Sequence, residues 1–177
     1  MAKIVVPQKW DEYQKLEIDA AGEYVSDFPA NELGVEAYDE ITGNTYKFVK
    51  THTTLTNDTT AANEVMLFEA TATGASLGVT VTNAAAAANI PNFAGISLGA
   101  VPKSTTTYVY FCWVKKSGKV TAKTDNGVDI VAGSLLVPDL GVAGAFDVMV
   151  AGEEALVCAT ALAAQAASKV TALLRTR

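Results

Sequence analysis

Residues able to do chemistry are few in this chain and far apart. The single histidine, His52, sits in the Thr-rich stretch "KTHTTLTND". With no second histidine to share a metal, an imidazole in a polar loop reads as a solvated side chain. Cys112 and Cys158 each lie inside an apolar run and lack C-x-x-C spacing, so they read as two reduced, buried thiols and not as a zinc site, the alternative being a disulfide between neighbouring strands in an oxidising compartment. The string "GISLG" around Ser97 matches the nucleophile elbow G-x-S-x-G. That motif needs a downstream histidine to take the serine proton, and none follows Ser97. "DNGVD" lacks the alternating acids of a calcium loop, and Glu153-Glu154 read as caps of a turn. Phosphate-loop and dinucleotide fingerprints are absent. The expectation is a chain with no catalytic site, cofactor or metal.

Composition narrows the field further. Half of the 177 residues are hydrophobic and only 18% are charged, which excludes a disordered chain. So low a charge, with many Ala, Thr, Val and Gly, suits a surface covered by neighbours. The net charge is −6 and is unevenly spread. Residues 1–40 carry ten acids against three lysines, and the remainder is nearly balanced. An acidic segment and no basic patch argue against nucleic-acid binding. The opening "MAKIVVPQKWDEYQ" lacks the long apolar stretch of a secretion signal, and Ala155–Ser168 is too short to span a bilayer. The expectation is a chain made and kept in a cytoplasm, with no membrane partner.

The elements that would position any site read as β. From Leu33 onward, "ELGVEAYDEITGNTYKFVK" predicts a strand, a turn at Thr42-Gly43-Asn44 and a second strand at Tyr46–Lys50. Strands are predicted at Val65–Ala70, Gly78–Thr82 and Ala94–Leu98, with "NAAAAANIPN" a loop or short helix between them. Over Tyr108–Lys115 both alternating faces are apolar, so this strand is expected to be covered on both sides. Ser117-Gly118 is expected to turn the chain into a half-exposed partner strand at Lys119–Lys123. Later strands are predicted at Phe146–Val150, Leu156–Ala163 and Val170–Arg175. In the last two, alternation of Leu156, Cys158, Thr160 and Leu162 is weighed above the helix propensity of the alanines. About ten short strands with regular turns predict an all-β domain, an antiparallel sandwich or barrel.

The N-terminal segment differs. Two units are expected: an acidic arm over residues 1–32, extended or short-helical, and a β domain over 33–177. Trp10, Tyr13 and Leu16 fall three apart, a spacing that would make one stripe on a short helix. With Tyr24 and Phe28 they are the candidate partner-binding residues, aromatic and aliphatic anchors for pockets on another subunit, the alternative being a helix packed on its own domain.

The order of the later elements resembles a group of tailed-phage virion proteins. "GVEAYDEITGNTYKFVK" looks like their opening strand, turn and aromatic strand, and "FAGISLGAV" like their next strand. "YVYFCWVKKSGKVTAK" resembles their aromatic strand ending in Trp-Val. "DIVAGSLLVPD" resembles their Ala-Gly-Asp-x-Leu-Val-Pro element, with Ser134 where Asp is usual. "LVCATALAAQAASKVTALLR" resembles their closing pair of strands. The Thr-rich loop from Thr51 and the Ala run from Ala84 depart from the pattern, and the acidic arm lies outside it. The resemblance implies a capsid decoration protein, also called a cement or head-stabilising protein. Such a protein binds the major capsid protein on the exterior of the virion as a homo-oligomer, dimer or trimer, and stabilises the shell against packed DNA. Assembly in the host cytoplasm follows from it. The alternative is a receptor- or glycan-binding module of a phage fibre or surface appendage, with Trp113 and Tyr110 stacking on sugars. An enzyme has only the Ser97 string behind it.

Overall fold

A computed structural model describes residues 13–19, 33–56, 60–89 and 91–175. Eleven strands run through them: β1 Gln14–Glu17, β2 Glu36–Asp39, β3 Asn44–Thr51, β4 Val65–Phe68, β5 Thr80–Thr82, β6 Phe93–Ser97, β7 Tyr108–Lys123, β8 Leu135–Pro138, β9 Phe146–Val148, β10 Ala159–Ala161 and β11 Lys169–Leu174. The only helical turns among the described residues are short 3-10 turns at Gly74–Ser76 and Glu154–Leu156. Strands β3, β5, β4, β6 and β7 pair in that order, and β7 pairs back to β3, which closes a five-stranded barrel. The sequence predicts an antiparallel domain, but the barrel is mixed: β3 and β5 run parallel, with Lys50 opposite Thr80. A second sheet, β7–β11–β10–β8–β9, grows from the far end of β7.

The long strand β7 corrects the reading of Ser117-Gly118 as a hairpin turn. Sixteen residues run without a break from Tyr108 to Lys123. Lys119–Lys123 do not fold back on Tyr108–Lys115, because both edges of that half are already taken. On one edge lies β3, and on the other β1 and then β6. A bulge at Lys116 lies just before Gly118 instead. The register with β3 slips between Thr45 and Tyr46, and the Thr45 N–H reaches the Ser117 hydroxyl at 3.1 Å. Gly118 takes φ +96°, and a Cβ there would collide with the side chain of Asn44. Past this point β7 leaves the barrel and pairs with β11.

Three cores follow from the two-sided pattern of β7. Val49, Met66, Val81, Ala94, Cys112 and Val114 fill the barrel interior. On the outer side of β3 and β7, Phe48, Phe111 and Trp113 form an aromatic layer under Tyr46 and Val109. The rings of Phe48 and Phe111 stack with centroids 6.0 Å apart, and Phe48 meets Trp113 at 5.1 Å. Each such buried ring contributes ~1.5–3 kcal/mol by burial alone. The third core joins Val65, Leu67 and Ile96 of the barrel to Val120, Ala122, Leu136, Phe146, Val170 and Leu174 of the second sheet.

At the C-terminus the alternation prevails over alanine's helix propensity. Val170, Ala172 and Leu174 are buried while Lys169 and Leu173 are exposed, the period of a half-buried strand. β10 and β11 pair antiparallel, joined by a tight turn in which Ala167 and Ser168 both take left-handed backbone, φ 50° and 58°. That is the geometry of the turn that fits a twisted hairpin. "NAAAAANIPN" forms loop and turn over residues 83–89.

Candidate binding surfaces

The structure puts the chemically suggestive residues to structural use. Ser97 ends β6 and is 1% exposed. Its hydroxyl donates to the Ala61 carbonyl at 2.8 Å and accepts the Glu64 N–H at 3.0 Å, so it stitches two loops together. A bend follows it, not the helix that an elbow requires. Cys112 and Cys158 are buried in separate cores and form no disulfide. Burial pushes the Cys112 thiol up to about 12, so it is not a nucleophile at neutral pH. Glu153 and Glu154 cap the turn as expected, accepting the N–H groups of Val150 and Gly152.

His52 is half-buried, not fully solvated. Its Nδ1 lies 2.8 Å from the Thr54 hydroxyl and 3.8 Å from Oε2 of Glu69. Burial of Glu69 opposes its charge, yet hydrogen bonds from Thr54 and Thr71 outweigh it and hold the carboxyl below the usual range. Among the described residues no group of His, Cys, Asp and Glu is arranged to hold a metal ion, and no helix is long and apolar enough to cross a membrane.

Of the five candidate anchors, Trp10, Tyr24 and Phe28 lie outside the described residues. Tyr13 and Leu16 do not share a helical stripe, because Gln14–Glu17 is a strand added to the edge of β7, with Leu16 opposite Val109. Tyr13 packs edge-on against Tyr110 at 5.6 Å and keeps 44% of its surface exposed. Leu16 packs on the aromatic layer. Lys15 on the same strand lies over the Tyr108 ring, 3.7 Å from its centre. Trp113 is 6% exposed inside that layer, so it offers no face to a sugar.

Two features escaped the sequence reading. The first is a stiff apolar knob. The turn from β2 to β3 exposes Ile41 almost completely, at 96%, beside Tyr38 at 64%. Asp39 locks this turn: its carboxylate accepts the Thr42 hydroxyl and the Ile41 N–H, and those bonds hold it below its ordinary value. Its signal in the sequence was an apolar residue inside "DEITGN", a turn otherwise polar.

The second is a polar cleft of about 300 Å³ at one end of the barrel. The end of β3 supplies Lys50 and His52, the start of β5 supplies Thr80, and the β4–β5 loop supplies Thr73 and Ser76. The Lys50 ammonium donates to the Ser76 hydroxyl at 2.7 Å. Lys50 and Thr80 sit side by side because they are register partners across the parallel β3–β5 pair, a juxtaposition that no local pattern encodes.

One buried ionic node binds the barrel to the second sheet. Glu64, 3% exposed, accepts Lys123 Nζ at 3.2 Å and Asn83 Nδ2 at 2.9 Å. Lys123 also donates to the Ala143 carbonyl at 2.9 Å. Four segments meet at this point, which fixes how the two sheets sit on each other.

No protein-family model matches the chain, and no curated protein matches it. Among solved structures it is similar to the crystal structure of the head fiber gp8.5 N base of bacteriophage phi29, at 14% identity and a TM-score of 0.46. That alignment covers 73% of this chain and 92% of the other. The likeness is too slight to bear on function.

Proposed function

We propose that this chain is a structural protein of a tailed-phage virion, a decoration protein that binds the outer surface of the major capsid protein lattice and stiffens the shell. It has no catalytic role in this reading, binds neither nucleic acid nor membrane, and acts as a homo-oligomer on the capsid exterior after assembly in the host cytoplasm. The sequence resemblance over residues 33–177 supports it. The structural observation that carries it is the rigid knob of Tyr38 and Ile41, apolar surface held out by a locked turn on a domain whose three cores are already filled. Apolar side chains fixed in that way favour burial against a neighbour.

Trp10, Tyr13, Tyr24 and Phe28 are proposed as further anchors, with Leu16 holding the arm strand to β7. Many modest contacts repeated over a lattice make loss of any one subunit rare. The test is co-sedimentation of the full chain with shells of the phage that carries it. Ile41→Asp with Tyr38→Ser should fold normally and lose at least ~10-fold in shell affinity, about 1.4 kcal/mol. Deleting residues 1–12, which leaves β1 in place, should also weaken binding. Undiminished occupancy by both variants would defeat the assignment.

A further inference from the structure

The second sheet segregates its charge. Strands β7 and β11 carry five lysines and no acid, and Arg175 follows directly. The stretch from residue 124 to 168, which holds β8, β9 and β10, carries six acids and neither lysine nor arginine: Asp125, Asp129, Asp139, Asp147, Glu153 and Glu154. Because the sheet runs β7–β11–β10–β8–β9, cations gather at one edge and β9 brings Asp147 to the other. Lys116 and Lys123 pair with Glu36 and Glu64, which lie outside this sheet. Among the described residues Lys119, Lys169 and Arg175 take part in no salt bridge.

Each end also exposes apolar surface. On the basic side Leu173 is 46% exposed and bracketed by cations. Lys119 is its register partner on β7, and Arg175 Nε donates at 3.1 Å to the hydroxyl of Thr160, its partner on β10. Leu162, exposed to the same degree, lies beside β11 with its N–H on the Thr171 carbonyl at 2.8 Å. On the acidic side Val150 is 60% exposed, on a turn held by Glu153, whose carboxylate accepts the Val150 N–H at 3.0 Å. Burial raises the neighbouring Asp147 carboxyl, the charges of Asp139, Glu153 and Asp125 add to the rise, and no cation counters it.

We propose that these two ends bind each other between copies of this chain. The Leu173 face of one subunit, rimmed by Lys119 and Arg175, covers the Val150 turn of the next, rimmed by Asp147, Glu153 and Glu154. An apolar centre inside a polar rim is how protein interfaces are built, and rims of opposite sign steer the copies into register. A contact between two different patches runs head to tail and closes into a ring of three or more copies. A two-fold dimer that set the basic face on itself would bring cation against cation. The inference rests on the homo-oligomer of the proposed function and names its contact, and that contact forms without a shell.

The test is sedimentation of the full chain without shells, over a concentration series at low and high salt. A species of three or more copies should form and weaken as salt screens the rims. Lys119→Glu with Arg175→Glu should weaken assembly at least ~10-fold, and so should Asp147→Lys with Glu154→Lys. An equimolar mixture of these two variants should assemble again, because each reversed patch then meets one of opposite sign. Leu173→Ser, at an exposed site, should weaken assembly likewise and serves where a reversal lowers the melting temperature. Ile41→Asp with Tyr38→Ser should assemble as the parent does, which separates this contact from shell binding by the knob. The proposal is overturned if the chain stays monomeric throughout or stops at a dimer. It is also overturned if the folded variants assemble like the parent, or if the mixture fails to recover.

Discussion

The two halves of β7 are one covalent strand with opposite characters. From Tyr108 to Ser117 it is the wall of a barrel. Cys112 and Val114 point into the interior, Phe111 and Trp113 point into an aromatic layer, and both edges are paired. From Lys119 to Lys123 it has one buried face, Val120 and Ala122, one face of Lys and Thr, and pairing to β11. The difference teaches that stiffness here comes from continuity. A single strand belongs to two sheets, so the barrel and the second sheet cannot swing independently about a loop.

The sharpest way to break the comparison is to remove a ring from the first half. Phe111→Ala should cost ~3–5 kcal/mol, because a fully buried ring leaves a cavity between two packed layers. Thr121→Ala, in the second half, should change stability by no more than ~0.5 kcal/mol. Urea unfolding with unchanged slope would establish both values. Near-equal losses would show that the halves are not energetically distinct.

At the junction, Gly118→Ala should cost ~1–3 kcal/mol, since it combines a left-handed backbone with a collision against Asn44. A loss confined to the second sheet, read by hydrogen exchange in β11 and β10, would show that the bulge transmits order from one half to the other.

The smallest effect is a pH dependence at the outer edge of the second sheet. Burial raises the Asp147 carboxyl above its ordinary value, with Asp139, Glu153 and Asp125 adding to the shift against an opposing bond from the Val148 N–H. A raised acid binds its proton more tightly when folded. Ionised Asp147 therefore lowers stability as pH climbs from the unfolded value, 3.8, through the folded one. Asp147→Asn should gain on the order of 0.5 kcal/mol at neutral pH. Thermal melts from pH 7 to below 3.8 should show that gain shrinking on acidification.

Much of the β framework was legible because alternation is local. The double-faced pattern of Tyr108–Val114 correctly placed the strand between two apolar layers, and the alternation after Leu156 correctly outweighed the alanines. Cys112 and Cys158 were read correctly as buried thiols. What failed was non-local. Ser117-Gly118 has the composition of a hairpin, but whether a hairpin forms depends on whether the neighbouring edges are free, and β1, β3 and β6 occupy them. The parallel β3–β5 pair was hidden for the same reason, and with it the meeting of Lys50 and Thr80. The helical stripe of Tyr13 and Leu16 lost to a free stretch of β7 edge, where backbone pairing satisfies amides that a short isolated helix would leave frayed.

The proposed function, that a capsid shell covers the exposed apolar surface of this domain, is tested most directly by imaging phage particles assembled with this chain. The account predicts ordered density for this domain on the outer face of the capsid lattice, with the Asp39–Asn44 turn against the major capsid protein. Particles with bare outer faces, and this chain monomeric in the surrounding fluid, would contradict it.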